Sequence, residues 1–165
     1  MRGPIAATDL THVEVQAILE IIGNRIDLQG KVVDIGSGTN VALGVLHRKA
    51  TSTDDGEPVR GLVHHKVTEI YYILAGSATL VTGGRVESTR EWPPGRGYLL
   101  VGPSMGGTSS TGHSREVSTG DIIVIPAGVF HGYSHIEDSV SYLSIRVDPD
   151  QVLPAGYVNP VLQTN

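Results

Sequence analysis

Two histidines stand side by side at 64 and 65, and a glutamate follows at 69, within "VHHKVTEIYYILAG" (residues 63–76). A second stretch, "GDIIVIPAGVFHGYSH" (residues 120–135), carries His131 just beyond Pro126 and Gly128, with His135 four residues further on. Imidazole and carboxylate are the donors of open divalent-metal sites. There is no cysteine, which removes thiolate metal sites, disulfides and cysteine nucleophiles together. His64, His65, Glu69 and His131 are therefore the candidate metal ligands. Three or four such ligands leave positions open for substrate, water or dioxygen. With Fe(II), the favoured ion, that set resembles the facial arrangement of non-haem oxygenases. Zn, Ni or Mn on the same ligands would polarise a carbonyl or enolise a substrate, as in a lyase, isomerase or hydrolase. Tyr71, Tyr133 and His135 are the candidate acid/base or orienting groups. Phe130 and Trp92 are candidates for an apolar wall or lid.

Neighbours on a regular strand point to opposite faces. Parity favours His65 as the partner of Glu69, because 65, 67 and 69 share a face. His64 joins them only through a bulge, a feature common at barrel rims and near active sites. Parity also puts Tyr71 on the face of Glu69 and Tyr72 on the other, and sets Tyr133 and His135 in step with His131.

The elements that must position these groups are mostly strands. "KVVDI", "VALGVLH", "GLVHH", "EIYYIL", "ATLVT", "YLLV", "DIIVIP" and "SVSYLSIRV" are short β-prone runs divided by turn formers, consistent with 21 glycines and 9 prolines. "VTGGRV" predicts a tight hairpin on Gly83-Gly84. Residues 88–120 form an irregular excursion, and the proline-bearing tail after Asp148 an extended strap. One helix is expected near the start: Thr11 and Glu14 have capping-box spacing, and Val15, Ile18, Leu19 and Ile22 make an apolar stripe. Many strands with one helix predict an antiparallel sandwich or barrel. The expected divisions are a helical arm over 1–30, a barrel over 31–148 and an extended tail over 149–165.

Two motifs fail on context. "VVDIGSGTN" imitates a nucleotide-holding glycine loop, but a strand-like run follows where a helix N-terminus is required. "GPSMG" (102–106) matches the nucleophile elbow, yet "GTSSTG" follows instead of a helix, so Ser104 is not read as a nucleophile. His12 and His47 are isolated, and His113 is read as a solvated loop residue.

The two histidine segments resemble the two signature motifs of the cupin superfamily, small β-barrels that hold a divalent metal in the lumen. Gly120, Pro126, Gly128 and His131 match the second motif, G-x5-P-x-G-x2-H-x3-N, up to its last position, where His135 replaces asparagine. Glu69 and Gly76 match the later half of the first, G-x5-H-x-H-x3–4-E-x6-G. Its second histidine is His65 with Val63 at the first position, or His64 with Leu62 there, so one ligand of the family is missing either way. The resemblance covers about residues 40–147 and implies an all-β fold, an antiparallel double-stranded β-helix (jelly roll). It implies a lumenal metal and pairing into a homodimer.

The net charge of −5 and the absence of basic runs argue against nucleic acid and anionic membranes as partners. No stretch approaches the about 20 apolar residues of a spanning helix. "MRGPIAATDL" lacks the apolar centre of a signal peptide, so a cytoplasmic location is the default; a chain whose signal had been removed, periplasmic or secreted, would look the same. The expected function is a metal-dependent enzyme on a small organic substrate, aromatic or carbonyl-bearing, with a dioxygenase-type oxidoreductase first. A metal-assisted lyase or isomerase and a non-catalytic ligand-binding barrel are the alternatives.

Overall fold

The computed structural model describes residues 6–163. It contains nine strands: β1 (Asp27–Gly36), β2 (Thr39–Ser52), β3 (Val59–His64), β4 (Thr68–Thr82), β5 (Glu87–Glu91), β6 (Ser104–Ser109), β7 (His113–Ser118), β8 (Ile122–Ile125) and β9 (His131–Asp148). Two helices, α1 (His12–Ile22) and α2 (Arg96–Val101), and a 3-10 turn at Pro160–Gln163 complete it. The strands follow the order β1-β2-β9-β3-β6-β5, and β4 pairs with β7, β8 and β9, all antiparallel. The two long strands β4 and β9 run against each other from Thr68–Val147 to Thr82–His131 and wind around one lumen. This is an all-β double-stranded β-helix.

The alternation in β9 explains why it can bind neighbours on both edges and still fill the interior. Val140, Tyr142, Ser144, Arg146 and Asp148 all face inward and are wholly buried. The core they join contains Tyr71, Ile73, Leu80, Ile125 and Tyr133. Burying such side chains contributes about 1.5–3 kcal/mol each.

Helix α1 forms as its sequence predicts. Thr11 accepts from the Glu14 amide at 3.3 Å while the Glu14 carboxylate accepts from the Thr11 amide at 2.7 Å. An isolated helix of this length is marginal in water. Its stability comes from Val15, Ile18 and Ile22, which pack against Leu28 of β1 and Val45 of β2. The tail lies along β1, with backbone bonds joining Val32 to Tyr157 and Gly156, and the Asn159 amide to the Gly30 carbonyl.

Three local expectations fail, the first being that residues 88–120 are irregular: they contain most of β5 and all of α2, β6 and β7. "YLLV" lies in α2, not in a strand: Pro93, Pro94 and Gly95 precede it, and Gly102, at φ 72°, ends it by bonding its amide to the Tyr98 carbonyl. Prolines cannot feed a ladder, so this short segment closes on itself. Gly83 and Gly84 do take positive φ (69° and 80°). The strand beyond them, β5, pairs with β6 and not with β4, so they make a corner and not a hairpin. The "VVDIGSGTN" glycines form the tight β1–β2 turn, with positive φ at Gly36, Ser37 and Gly38.

One close approach matters for the site. A Cβ on Gly61 of β3 would stand 2.3 Å from the His131 carbonyl oxygen, and one on Gly132 of β9 would stand 2.2 Å from that of Arg60. Only glycine at both positions lets β3 lie this tightly against β9, which brings the histidine at the end of β3 beside the one opening β9.

Candidate metal centre

His64, Glu69 and His131 meet in the lumen, all buried, with their ligand atoms within 4.8 Å of one another. Among the described residues no other group of histidine and acidic side chains does so. The His64 and His131 Nε2 atoms lie 3.2 and 3.3 Å from Glu69 Oε2, and the two imidazole centroids are 4.9 Å apart. Donors about 2.1 Å from a shared ion and at right angles to each other stand about 3.0 Å apart. The two separations from Glu69 Oε2 lie close to that edge length.

Hydrogen bonds on the far side of each ring fix the tautomers. Ser104 donates its hydroxyl proton to the Gly102 carbonyl at 2.9 Å, so its oxygen accepts from His64 Nδ1 at 2.7 Å. His131 Nδ1 donates to the Val129 carbonyl at 3.1 Å. With both Nδ1 atoms protonated, each neutral ring turns an Nε2 lone pair toward the carboxylate. Three acceptors aimed at one point repel unless a cation lies among them. Burial pushes His64 below the usual imidazole range, against the pull of Glu69, which disfavours a proton there. The donor set thus fits a divalent ion, with the Nδ1 partners acting as the orienting groups that metal-bound histidines use.

Glu69 is held rigidly. Its Oε1 accepts from Ser144 Oγ at 2.7 Å and Arg146 Nε at 3.2 Å, and its Oε2 from the Tyr71 hydroxyl at 2.8 Å. Burial works to raise its pKa, but the Arg146 charge and the hydrogen bonds the carboxylate accepts hold it well below its ordinary value. Arg146 also donates to Gln29 at 2.7 Å and to Asp27. Its guanidinium lies where a Cβ on Gly44 would stand, 2.7 Å from a terminal nitrogen, so glycine at 44 makes the room.

His65, not His64, points away. It is partly exposed and its Nε2 meets the Glu91 carboxylate at 2.9 Å. Parity does not carry from 65 to 69 because the two are not on one strand. β3 ends at His64, the chain bends through 65–67, and β4 begins at Thr68 with a new alternation. Replacing His64 by alanine should remove metal from the purified protein, while His65→Ala should leave its metal content unchanged. Elemental analysis of the two variants checks this.

His135 is also displaced from the expected set. On β4 Leu80 and Thr79 are adjacent, but their partners are Tyr133 and His135, so Ser134 is an extra residue in β9. This bulge turns the strand over: Tyr133 faces the lumen, His135 faces solvent, and Ile136 takes the inward place. Tyr71 is buried beside Glu69 while Tyr72 is exposed, as alternation along β4 requires. Trp92 lines the lumen cavity; Phe130 packs in a separate apolar cluster with Val59 and Val63. His113 is exposed. Ser104, within "GPSMG", opens a strand and serves His64. Its replacement by alanine should leave the fold intact and weaken metal binding about tenfold, the usual effect of losing such an orienting bond, measurable by competition with a chelator.

Reading by motif passed over Arg146, Ser144, Asp27, Gln29 and Arg48. A signal existed for two of them: "SVSYLSIRVD" alternates so that Ser144 and Arg146 fall on the same face as Val140 and Tyr142, and a polar residue at an inward position requires a buried partner.

The cluster opens to a cavity of about 980 Å³ whose walls include Leu62, Tyr71, Trp92, Leu100 and Tyr133. Leu62 stands opposite His131 in the ladder, at the position where the first motif would carry another histidine. Glu69 from the first segment and His131 from the second therefore share one lumen, enclosed by two long antiparallel strands. The chain has the cupin fold. No family model and no curated protein matches its sequence. Among solved structures, this cupin barrel is similar to the BH2720 protein of Bacillus halodurans, with 15% identity, TM-score 0.47 and all of both chains covered. It is similar to an RmlC-like cupin family protein of Methanocaldococcus jannaschii, with 11% identity, TM-score 0.44 and 90% and 96% of the two chains covered. It is similar to the DMSP lyase DddQ of Ruegeria pomeroyi, with 18% identity and TM-score 0.40; the match covers 72% of this chain and spans 43% of that one.

Proposed function

We propose that this barrel is a metal-dependent enzyme acting on a small organic molecule in the lumen, with Fe(II) as the ion and a dioxygenase-type oxidation as the reaction. The observation that carries the reading is the donor set. His64, His131 and Glu69 supply two imidazoles and one carboxylate on one side of a point whose other side opens to the cavity. That is the ligand count of the facial triad of non-haem Fe(II) oxygenases. Leu62 keeps a fourth protein ligand away. Bound there, the ion supplies Lewis acidity and a partner for dioxygen.

The chain's own groups supply the rest. Ser104 and the Val129 carbonyl hold the imidazoles with Nε2 forward. Ser144 and Arg146 fix one carboxylate oxygen, so Glu69 cannot swing away. Burial, reinforced by the nearby Glu69 charge, raises Tyr71 well above the usual phenol range. Tyr71 therefore stays protonated and donates a hydrogen bond to Glu69 Oε2. It can donate a hydrogen bond, but it is poorly suited to abstract a proton. Leu100, Val101 and Trp92 wall the cavity with apolar surface that limits water near the reacting atoms.

The phenol beside the carboxylate also supports a second reading, a metal-assisted lyase or isomerase in which Tyr71 donates to a developing oxyanion. Oxygen uptake separates them. The Fe(II)-loaded protein should consume dioxygen with one member of a phenol and diketone panel; turnover that proceeds equally without oxygen would replace the oxidative reading with the second. No stoichiometric metal, and no rise in melting temperature on adding metal, would point instead to a non-catalytic binding barrel.

A further inference from the structure

We propose that the cavity takes substrates that carry a carboxylate, and that Arg48 and Tyr133 hold that group while the rest of the molecule reaches the His64–Glu69–His131 cluster. The inference rests on the reading of the cluster as a reaction centre. It adds the chemical class of what is bound.

Arg48 is anchored on one side and open on the other. Its Nε donates to the Tyr142 hydroxyl at 2.9 Å, and its guanidinium carbon lies 5.4 Å from the centroid of the Tyr133 ring. These contacts fix the plane of the fork. The two terminal nitrogens have no hydrogen-bond or ion-pair partner among the described residues. Arg48 and Tyr133 both line the 980 Å³ cavity. The Tyr133 hydroxyl is buried with no partner at good hydrogen-bond geometry. The neighbouring Tyr142 hydroxyl accepts from Arg48, and its own proton is the one protein donor near Tyr133 among the described residues, leaving the Tyr133 proton to give to a ligand. A half-buried guanidinium without an anion and a buried hydroxyl without a partner are each costly. One ligand group satisfies both.

Charge gives the same answer. Four carboxylates line the cavity: Asp27 and Glu69 lie inside and are engaged by Arg146, while Asp54 and Glu57 are exposed to solvent. None of the four forms an ion pair with Arg48, although Asp27 feels its charge. The other cations on the cavity, Arg25, Lys49 and Arg60, are exposed, so Arg48 is the half-buried cation there without a direct anionic partner. A divalent ion on the cluster adds further positive charge. Planar, fixed guanidinium forks match a carboxylate with two parallel bonds. A single fork with one hydroxyl suits a monoanion better than a phosphate dianion. Position is also right: Tyr71 contacts the His131 ring at 6.2 Å and Tyr142 at 4.6 Å, and Tyr142 contacts Tyr133 at 6.0 Å. The anion seat and the cluster are therefore separated by this tyrosine wall, and a small molecule would lie along it.

The test is calorimetric titration of the purified protein, metal-free and metal-loaded, with acetate, benzoate and succinate, their amides, and inorganic phosphate. At least one carboxylate should bind, its amide and phosphate at least about tenfold more weakly. Binding should persist in the metal-free protein. Arg48→Gln should weaken the carboxylate about tenfold or more, as expected for a charge-assisted pair. Tyr133→Phe should weaken it about fivefold, and Arg48→Lys, which keeps charge but not the fork, should fall between wild type and Arg48→Gln. If Arg48→Gln does not fold, the Lys and Phe variants carry the comparison. Absence of binding by every carboxylate, equal binding of acid and amide, or affinity unchanged in the Arg48 and Tyr133 variants overturns the proposal. So does carboxylate binding that needs the metal and ignores Arg48, an outcome that leaves the metal reading standing. Arg48-dependent binding in a protein that takes no metal would do the reverse.

Discussion

His131→Ala should yield a folded protein that no longer retains metal. His131 contributes one of three donors, and two of the three are imidazoles whose Nε2 atoms converge on Glu69 Oε2. Removing one leaves a histidine–carboxylate pair, which a chelator strips readily. The expected fold survives because the His131 ring bonds only to the Val129 carbonyl besides its cluster partners, and β9 is held by its backbone ladders with β2 and β4. Removing an acceptor from a set of three mutually repelling ones also relieves the metal-free state. The variant should therefore melt no lower than metal-free wild type, while losing all of the stabilisation that added metal gives. Full metal occupancy in the variant, by elemental analysis, would refute His131 as a ligand. Because burial depresses His64, protonation of that ring should compete with the metal only below the usual imidazole range.

Arg146→Met should do the opposite: it should damage the fold first. The guanidinium is fully buried and serves Glu69, Gln29 and Asp27 at once. Without it, two carboxylates remain in the interior with no countercharge, one of them Asp27, which burial already pushes above its ordinary pKa despite Arg146. Removing one partner of such a buried pair costs about 3–5 kcal/mol. For a chain of this size that corresponds to a fall in melting temperature of about 6–20 °C. Denaturant or thermal unfolding at neutral pH measures it. Combining Arg146→Met with Asp27→Asn should recover part of the loss, because one of the stranded charges is removed. A single Arg146→Met variant as stable as wild type would show that the network contributes nothing to folding.

These variants separate two jobs that share Glu69. One oxygen of that carboxylate faces the imidazoles and Tyr71, while the other is tied to Ser144 and Arg146. The first oxygen serves binding and the second serves rigidity. A metal ligand fixed in this way needs no reorganisation when the ion enters, which favours affinity.

Much of the molecule was legible in the amino-acid order because local physics decides it. Thr11 and Glu14 cap α1 whatever lies nearby. The Pro126–Gly128 turn carries the chain from β8 to His131 at the start of β9, and simple alternation places Glu69 and Tyr71 inside with Tyr72 outside. The remainder depended on where ladders break. A period of two holds only along one unbroken strand, so the bend at 65–67 exchanged the expected roles of His64 and His65, and one extra residue at Ser134 turned His135 out to solvent. Arg146 and Arg48 could acquire their roles only after folding, since the groups they serve are distant in the chain: Asp27 and Glu69 for one, Tyr133 and Tyr142 for the other. Sequence spacing set which donors were present. Strand breaks, one bulge and the tight crossing at Gly61 and Gly132 decided which of them meet.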